Sequence, residues 1–132
     1  MKTSLLILVL AFFSVSFAMP GPRSESPQQP RETADSINGI YIPYNTAECM
    51  TELDKHFSDT LKCEIRSMPR DKFLGLSHLG LGMWVRNAFG LWADSRLARY
   101  LRDSCKLEDP DEMSWHILEK YHNHLMRSDE KN

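Results

Sequence analysis

The sequence has only three cysteines, Cys49, Cys63 and Cys105, and none stands in a Cys-x-x-Cys or Cys/His spacing. That density is too low for a disulfide-scaffold fold, and the spacing gives no metal signature. An odd number cannot all pair within one chain. One internal bridge with a free thiol, or a disulfide-linked dimer, both stay open. Net positive charge is also lacking, with 16 basic residues against 18 acidic ones and a formal net charge of −2. A strongly basic face for nucleic acid and a polybasic segment for lipid are therefore absent from the composition. There is one long apolar run, residues 5–13, and nothing after it approaches the roughly 20 residues of a membrane span. No Gly-x-Ser-x-Gly elbow is present, and no motif calls for a cofactor.

The apolar run carries information by its surroundings. Lys2 precedes LLILVLAFF, and Ser16-Phe17-Ala18 follows with small residues at its first and third places. This is the layout of a signal peptide over residues 1–18, with cleavage expected after Ala18 and a secreted or periplasmic product. Residues 19–39 hold four prolines among Ser, Gln, Glu and Arg, which predicts a disordered linker. Residues 40–126 are expected to form one domain, and residues 127–132 a charged tail.

The domain reads as all-α. Asn45 with Glu48 is a capping-box pattern, and Cys49, Met50, Leu53 and Phe57 then share one helical stripe. Ser58 and Asp59 end that helix and start a short second one bearing Leu61, Ile65 and Met68, with Cys63 on the opposite side. Pro69 suits the first turn of a third helix expected to run to about Phe89. It is apolar on most sides, which predicts a central buried helix. Gly80 and Gly82 suggest close backbone approach, and Gly90 a left-handed cap. Asp94 is placed to cap a fourth helix, with Leu97, Tyr100, Leu101 and Cys105 inward and Arg96, Arg99 and Arg102 outward. Asp109-Pro110-Asp111-Glu112 opens the last helix, whose inner face is Met113, Ile117, Leu118, Tyr121 and Leu125. The expectation is a small bundle of about five helices around a central helix at about 69–89.

Several blocks together resemble a bacterial domain-of-unknown-function family. They are Ile42-Pro43, Glu52-Leu53-Asp54, GLGMWVRNAFGLW (residues 80–92), Ser95 to Tyr100, Pro110-Asp111-Glu112-Met113-Ser114, and Tyr121 to Leu125. The family carries a Gly-Leu-Gly-hydrophobe-Trp-hydrophobe-Arg-Asn core, then Gly-Leu-Trp, then a Pro-Asp-Asp-Met-Ser helix start. A histidine often precedes that start, where this chain has Asp109. The resemblance implies a small helical module in which Trp84, Arg86, Asn87 and Trp92 matter. It implies no activity.

Two readings of the central block follow. In one, Trp84 and Trp92 anchor a core, and Arg86 bonds helix carbonyls or pairs with an acid such as Asp94. In the other, His78, Trp84, Arg86 and Asn87 line a ligand or enzymatic site, a guanidinium beside an aromatic wall being suited to carboxylate or phosphate. His116, His122 and His124 are six, two and eight residues apart, not the three or four that lets one helix hold a metal, so no metal site is expected. Ser95 and Ser114 read as helix-start residues, and spacing leaves a Cys105–His124 pair open. Trp115, His122 and Met126 fall within about 40° of each other on the last helix, off its core face, and form a candidate partner patch. The reading favours an exported protein-interaction module over an enzyme.

Overall fold

The computed structural model describes residues 34–131. The expected signal peptide and most of the expected linker lie outside these residues. The end of that linker is ordered: β1 (Ser36–Ile37) pairs antiparallel with β2 (Ile40–Tyr41). Asn38 and Gly39 between them have φ of 50° and 79°. An Asn-Gly pair with both φ positive is the turn that matches strand twist in a two-residue hairpin. Residues 36–41 thus form a β-ribbon, whose first strand and turn fall within the expected linker.

Six helices follow: α1 (Thr46–His56), α2 (Asp59–Ser67), α3 (Arg70–Ser77), α4 (Leu81–Ala88), α5 (Arg96–Cys105) and α6 (Pro110–Asp129). Their starts are written locally. The Asn45 side chain accepts from Glu48 N at 2.9 Å, Ser58 Oγ from Leu61 N at 3.2 Å, and Asp109 Oδ1 from Asp111 N at 2.7 Å. Each satisfies a first-turn N–H that has no helical acceptor. The cap of α5 is Ser95, whose Oγ accepts from Ala98 N at 3.2 Å, and not Asp94, which pairs instead with Arg102. Lys106 ends α5 in the left-handed conformation, φ 58°, and its N–H reaches back to Arg102 O.

The helix expected over 69–89 is broken. Residues 78–80 form a turn between α3 and α4, and Leu76, Leu79 and Met83 are exposed there. The break turns α3 and α4 so that each lays one face on α6. The central element is α6, which packs against all five other helices. Met113, Ile117, Leu118, Tyr121 and Leu125 of α6 are buried with Leu53, Ile65, Phe73, Val85, Phe89, Leu97 and Leu101. Each such side chain contributes about 1.5–3 kcal/mol by leaving water. Phe57 stands between Trp84 and Tyr121, with ring centroids 5.6 and 5.4 Å away. The fold is therefore a small all-α bundle with a two-stranded ribbon attached.

Two further contacts set the geometry. Gly90, φ 65°, ends α4, and a Cβ there would lie 2.8 Å from Ile37 Cδ1. Arg96, expected to face outward, donates from Nε to Ile42 O at 2.7 Å and lies over Tyr44 at 3.7 Å and Tyr41 at 4.7 Å. It clamps the ribbon to the start of α5.

Candidate functional site

Arg86 sits in the last turn of α4, and its side chain is almost wholly buried. Its Nη1 donates to Ser114 Oγ at 2.8 Å and meets Asp111 Oδ1 at 3.2 Å, while Nη2 donates to His78 O at 3.1 Å. One guanidinium thus joins the end of α3, the body of α4 and the first turn of α6. Gly82 makes this possible, because a Cβ there would come within 3.0 Å of Arg86 Nη1 and 3.2 Å of Ser77 O. A cation at a helix N-terminus opposes the helix dipole. The acidic first turn of α6, Asp111 and Glu112 behind the cap Asp109, offsets that.

The other residues singled out from this block do not converge with Arg86 on one cavity. The His78 ring is exposed, and the residue contributes only its carbonyl to Arg86. Trp84 points away, packed against His56, Phe57 and Phe89. Asn87 is exposed and accepts from Trp92 Nε1 at 3.1 Å, and Trp92 lies under the Arg86 guanidinium at 5.6 Å. The acid that pairs with Arg86 is Asp111 on α6, not Asp94.

On α6, Trp115 and Met126 are exposed, but His122 is buried between them. It stacks on Phe73 at 5.7 Å, and Nε2 donates to Met68 O at 2.9 Å. The carbonyl can only accept, so Nε2 carries the hydrogen. The candidate patch is therefore divided by α3, which covers its middle.

Toward the C-terminal end of α6 lies a network that spacing alone does not show. Asp54 Oδ1 accepts from Tyr121 OH at 2.9 Å, and Oδ2 meets His124 Nε2 at 2.8 Å. Lys62 Nζ stands 3.7 Å from Oδ1 and donates to the Asp54 carbonyl at 2.8 Å. Partial burial pushes the Asp54 carboxyl up, but the hydrogen bonds from His124 and Tyr121, with the charges of His124 and Lys62, outweigh it and hold the carboxyl below its ordinary value. Burial, then the bond and charge of Asp54, push the Tyr121 phenol well above its ordinary value, so it stays a donor. His116, half-buried on the same helix, is held below the usual imidazole value by burial and then by the charge of Lys120.

Beside this network a groove of about 360 Å³ opens between the first turn of α1 and the C-terminal half of α6. Ala47 and Met50 give it an apolar side, and Lys120, Arg127 and Lys131 a cationic one, with His124 and Thr46 between. Tyr121 and His124 lie 67 and 70 residues from Asp54 in sequence, and no local motif links them.

All three cysteines are free thiols: Cys49 is buried, Cys63 exposed and Cys105 half-buried. Burial pushes the Cys49 thiol far up, leaving it unreactive. His124 gives its Nε2 to Asp54 and not to Cys105. Among the described residues, no three His, Cys, Asp or Glu side chains gather as a metal-binding group, and no helix is long and apolar enough to cross a membrane.

A family model described as a domain of unknown function, DUF6794, matches residues 42–125. Neither a search of curated proteins nor one of solved structures returned a match. The matched span begins at the buried Ile42 and ends at the buried Leu125, so it takes in all of the helical core, the Arg86 tie and the Asp54 network. The chain belongs to the DUF6794 family.

Proposed function

We propose that this chain is an exported protein-interaction module that docks its partner at the end of the bundle built around Arg86. The observation that carries the reading is a set of exposed apolar side chains near Arg86. Leu79, Met83, Trp92 and Trp115 are 69%, 38%, 61% and 45% exposed. Each is next in sequence to, or in contact with, a group that Arg86 or Gly82 touches: His78, Gly82, the Trp92 ring and Ser114. They therefore share one end of the molecule.

Trp92 is exposed yet held, by Asn87 on its Nε1 and by the guanidinium on its face. An immobilised aromatic loses little freedom on binding, which is what makes a good anchor. The exposed acids Glu108, Asp109, Asp111 and Glu112 border the same end. The partner that fits is a protein surface with an apolar centre and a basic rim. Because both terminal nitrogens of Arg86 are engaged by protein partners, its Nε is buried, and Trp84 packs on His56, Phe57 and Phe89, this reading is favoured over a ligand site formed by His78, Trp84, Arg86 and Asn87. The apolar run at residues 5–13 and the small residues before Ala18 support placing the module outside the cytoplasm.

The test is capture of a protein from a cell-envelope extract, followed by titration of the identified partner. The Trp92→Ala/Trp115→Ala variant should keep the parent's circular dichroism and bind the partner at least tenfold more weakly. Parental affinity should fall as salt rises, because the rim is charged. Equal affinity of parent and variant would sink the reading.

A further inference from the structure

We propose that the groove between α1 and the C-terminal half of α6 binds a phosphate group, carried by a small soluble phosphomonoester or by a phospholipid headgroup. Lys120, His124 and Arg127 follow one another at four and three residues along α6, and Lys131 stands four residues further on, in the turn just past its end. That spacing places the three helical residues on one stripe about 60° wide. The stripe holds no acid. Lys120, Arg127 and Lys131 have no ion-pair partner among the described residues. Most cations elsewhere on the bundle are matched: Lys55 with Glu52, Lys62 with Asp54, Arg66 with Asp129, Arg70 with Glu119, Arg86 with Asp111 and Arg102 with Asp94. Among the described residues, the groove gathers three unmatched cations around one concavity.

The opposite wall adds donors. Thr46 and Ala47 open α1, and the Asn45 side chain satisfies only the N–H of Glu48, leaving the first two N–H groups of the helix without an intrahelical acceptor. The Thr46 hydroxyl is shielded from solvent and has no hydrogen-bond partner. The one acid of that turn, Glu48, is drawn away from the groove to Tyr44 N at 2.9 Å and Tyr41 OH at 3.3 Å. Asp54, the acid behind His124, is already engaged by Tyr121, His124 and Lys62. An oxyanion in the groove thus meets donors from two helices and no free carboxylate. A tetrahedral, doubly charged phosphate suits three cations set around a space better than a flat carboxylate, which one arginine satisfies. The volume of about 360 Å³ exceeds what phosphate alone needs, and Met50 and Ala47 give the remainder an apolar lining for the carbon part of the ligand.

The experiment uses the chain as the cell processes it, titrated with glycerol 3-phosphate by calorimetry and with phosphatidic acid vesicles, whose headgroup is a phosphomonoester, by co-sedimentation. The expected result is saturable binding that weakens at least tenfold in Lys120→Gln/Arg127→Gln. Lys72→Gln, which removes an exposed charge on α3, should bind like the parent. Capture by vesicles without binding of glycerol 3-phosphate assigns the headgroup, and binding of glycerol 3-phosphate assigns a soluble phosphomonoester. Circular dichroism of the double variant checks that its fold is intact. No saturable binding to either probe overturns the proposal, and so does equal affinity in the double variant.

Discussion

The two ends of α6 use positive charge in opposite ways. At its N-terminal end, one cation, Arg86, is buried and surrounded by a hydroxyl, a carbonyl, a carboxylate and an aromatic face, all supplied by the protein. Along its C-terminal half and just past its end, Lys120, Arg127 and Lys131 border open space, with no carboxylate set against them among the described residues. Burying a charge costs several kcal/mol unless partners replace the lost water, and here the hydroxyl, carbonyl and carboxylate do so at Nη1 and Nη2, the buried Nε alone having no partner. A hydrated charge needs no such compensation. The first end therefore carries its charge for the fold, and the second has charge left over for a ligand.

The largest effect that would break this contrast is at Arg86. Arg86→Ala removes the cation and strands the His78 carbonyl, and it should cost about 3–5 kcal/mol by chemical denaturation. Arg86→Lys should recover only part of this, since an ammonium lacks the planar fork that serves two helices at once. A loss below about 1 kcal/mol in Arg86→Ala would erase the distinction between the two ends.

The next effect is at Asp54, the one acid behind the cationic stripe. Asp54→Ala leaves the Tyr121 hydroxyl without its acceptor and should cost about 1–3 kcal/mol. The network also predicts a pH dependence. A carboxyl held below its ordinary 3.8 binds its proton more weakly folded than unfolded. Its contribution is fully present above that ordinary value and is lost as pH falls through the lowered folded one. Acid unfolding of Asp54→Asn should accordingly be shallower than that of the parent below about pH 4. Parallel acid limbs would show that the carboxylate is not held by its partners.

The smallest effect is the most specific. Lys120→Gln/Arg127→Gln should change stability by no more than about 0.5 kcal/mol, because neither side chain has a partner to lose. A destabilisation beyond about 1 kcal/mol would mean that these charges serve the fold after all.

Local chemistry was readable where the relevant groups lie within a few residues. Asn45, Ser58 and Asp109-Pro110 announce helix starts because their side chains bond to N–H groups two or three places on. Gly90 announces a helix end for the same reason of proximity. The turn at 78–80 was hidden because Leu76, Leu79 and Met83 make residues 69–89 apolar on most sides, which reads as a buried helix although these three face solvent. The ribbon was masked by a polar, proline-rich context, although Asn38-Gly39 was the available signal. Ser95 and Asp94 are adjacent candidates for one cap, and only the pull of Arg102 on Asp94 decides between them. His122 and His124 lie two residues apart on one helix and end in different surroundings, one against Phe73 and one on Asp54. Those neighbours come from α3 and α1, and spacing along α6 carries no information about them.

The Arg96 clamp has a mechanical consequence. Chain upstream of residue 34 enters the bundle through the ribbon, and the ribbon is held by Arg96 on Ile42 O and on the rings of Tyr41 and Tyr44. A pull transmitted through that upstream segment would be borne first by this stack at the start of α5 and by Ile37 against Gly90 at the end of α4. In a force-extension experiment the ribbon should detach as a separate early event, at lower force in Arg96→Ala, while the six-helix core stays loaded but intact.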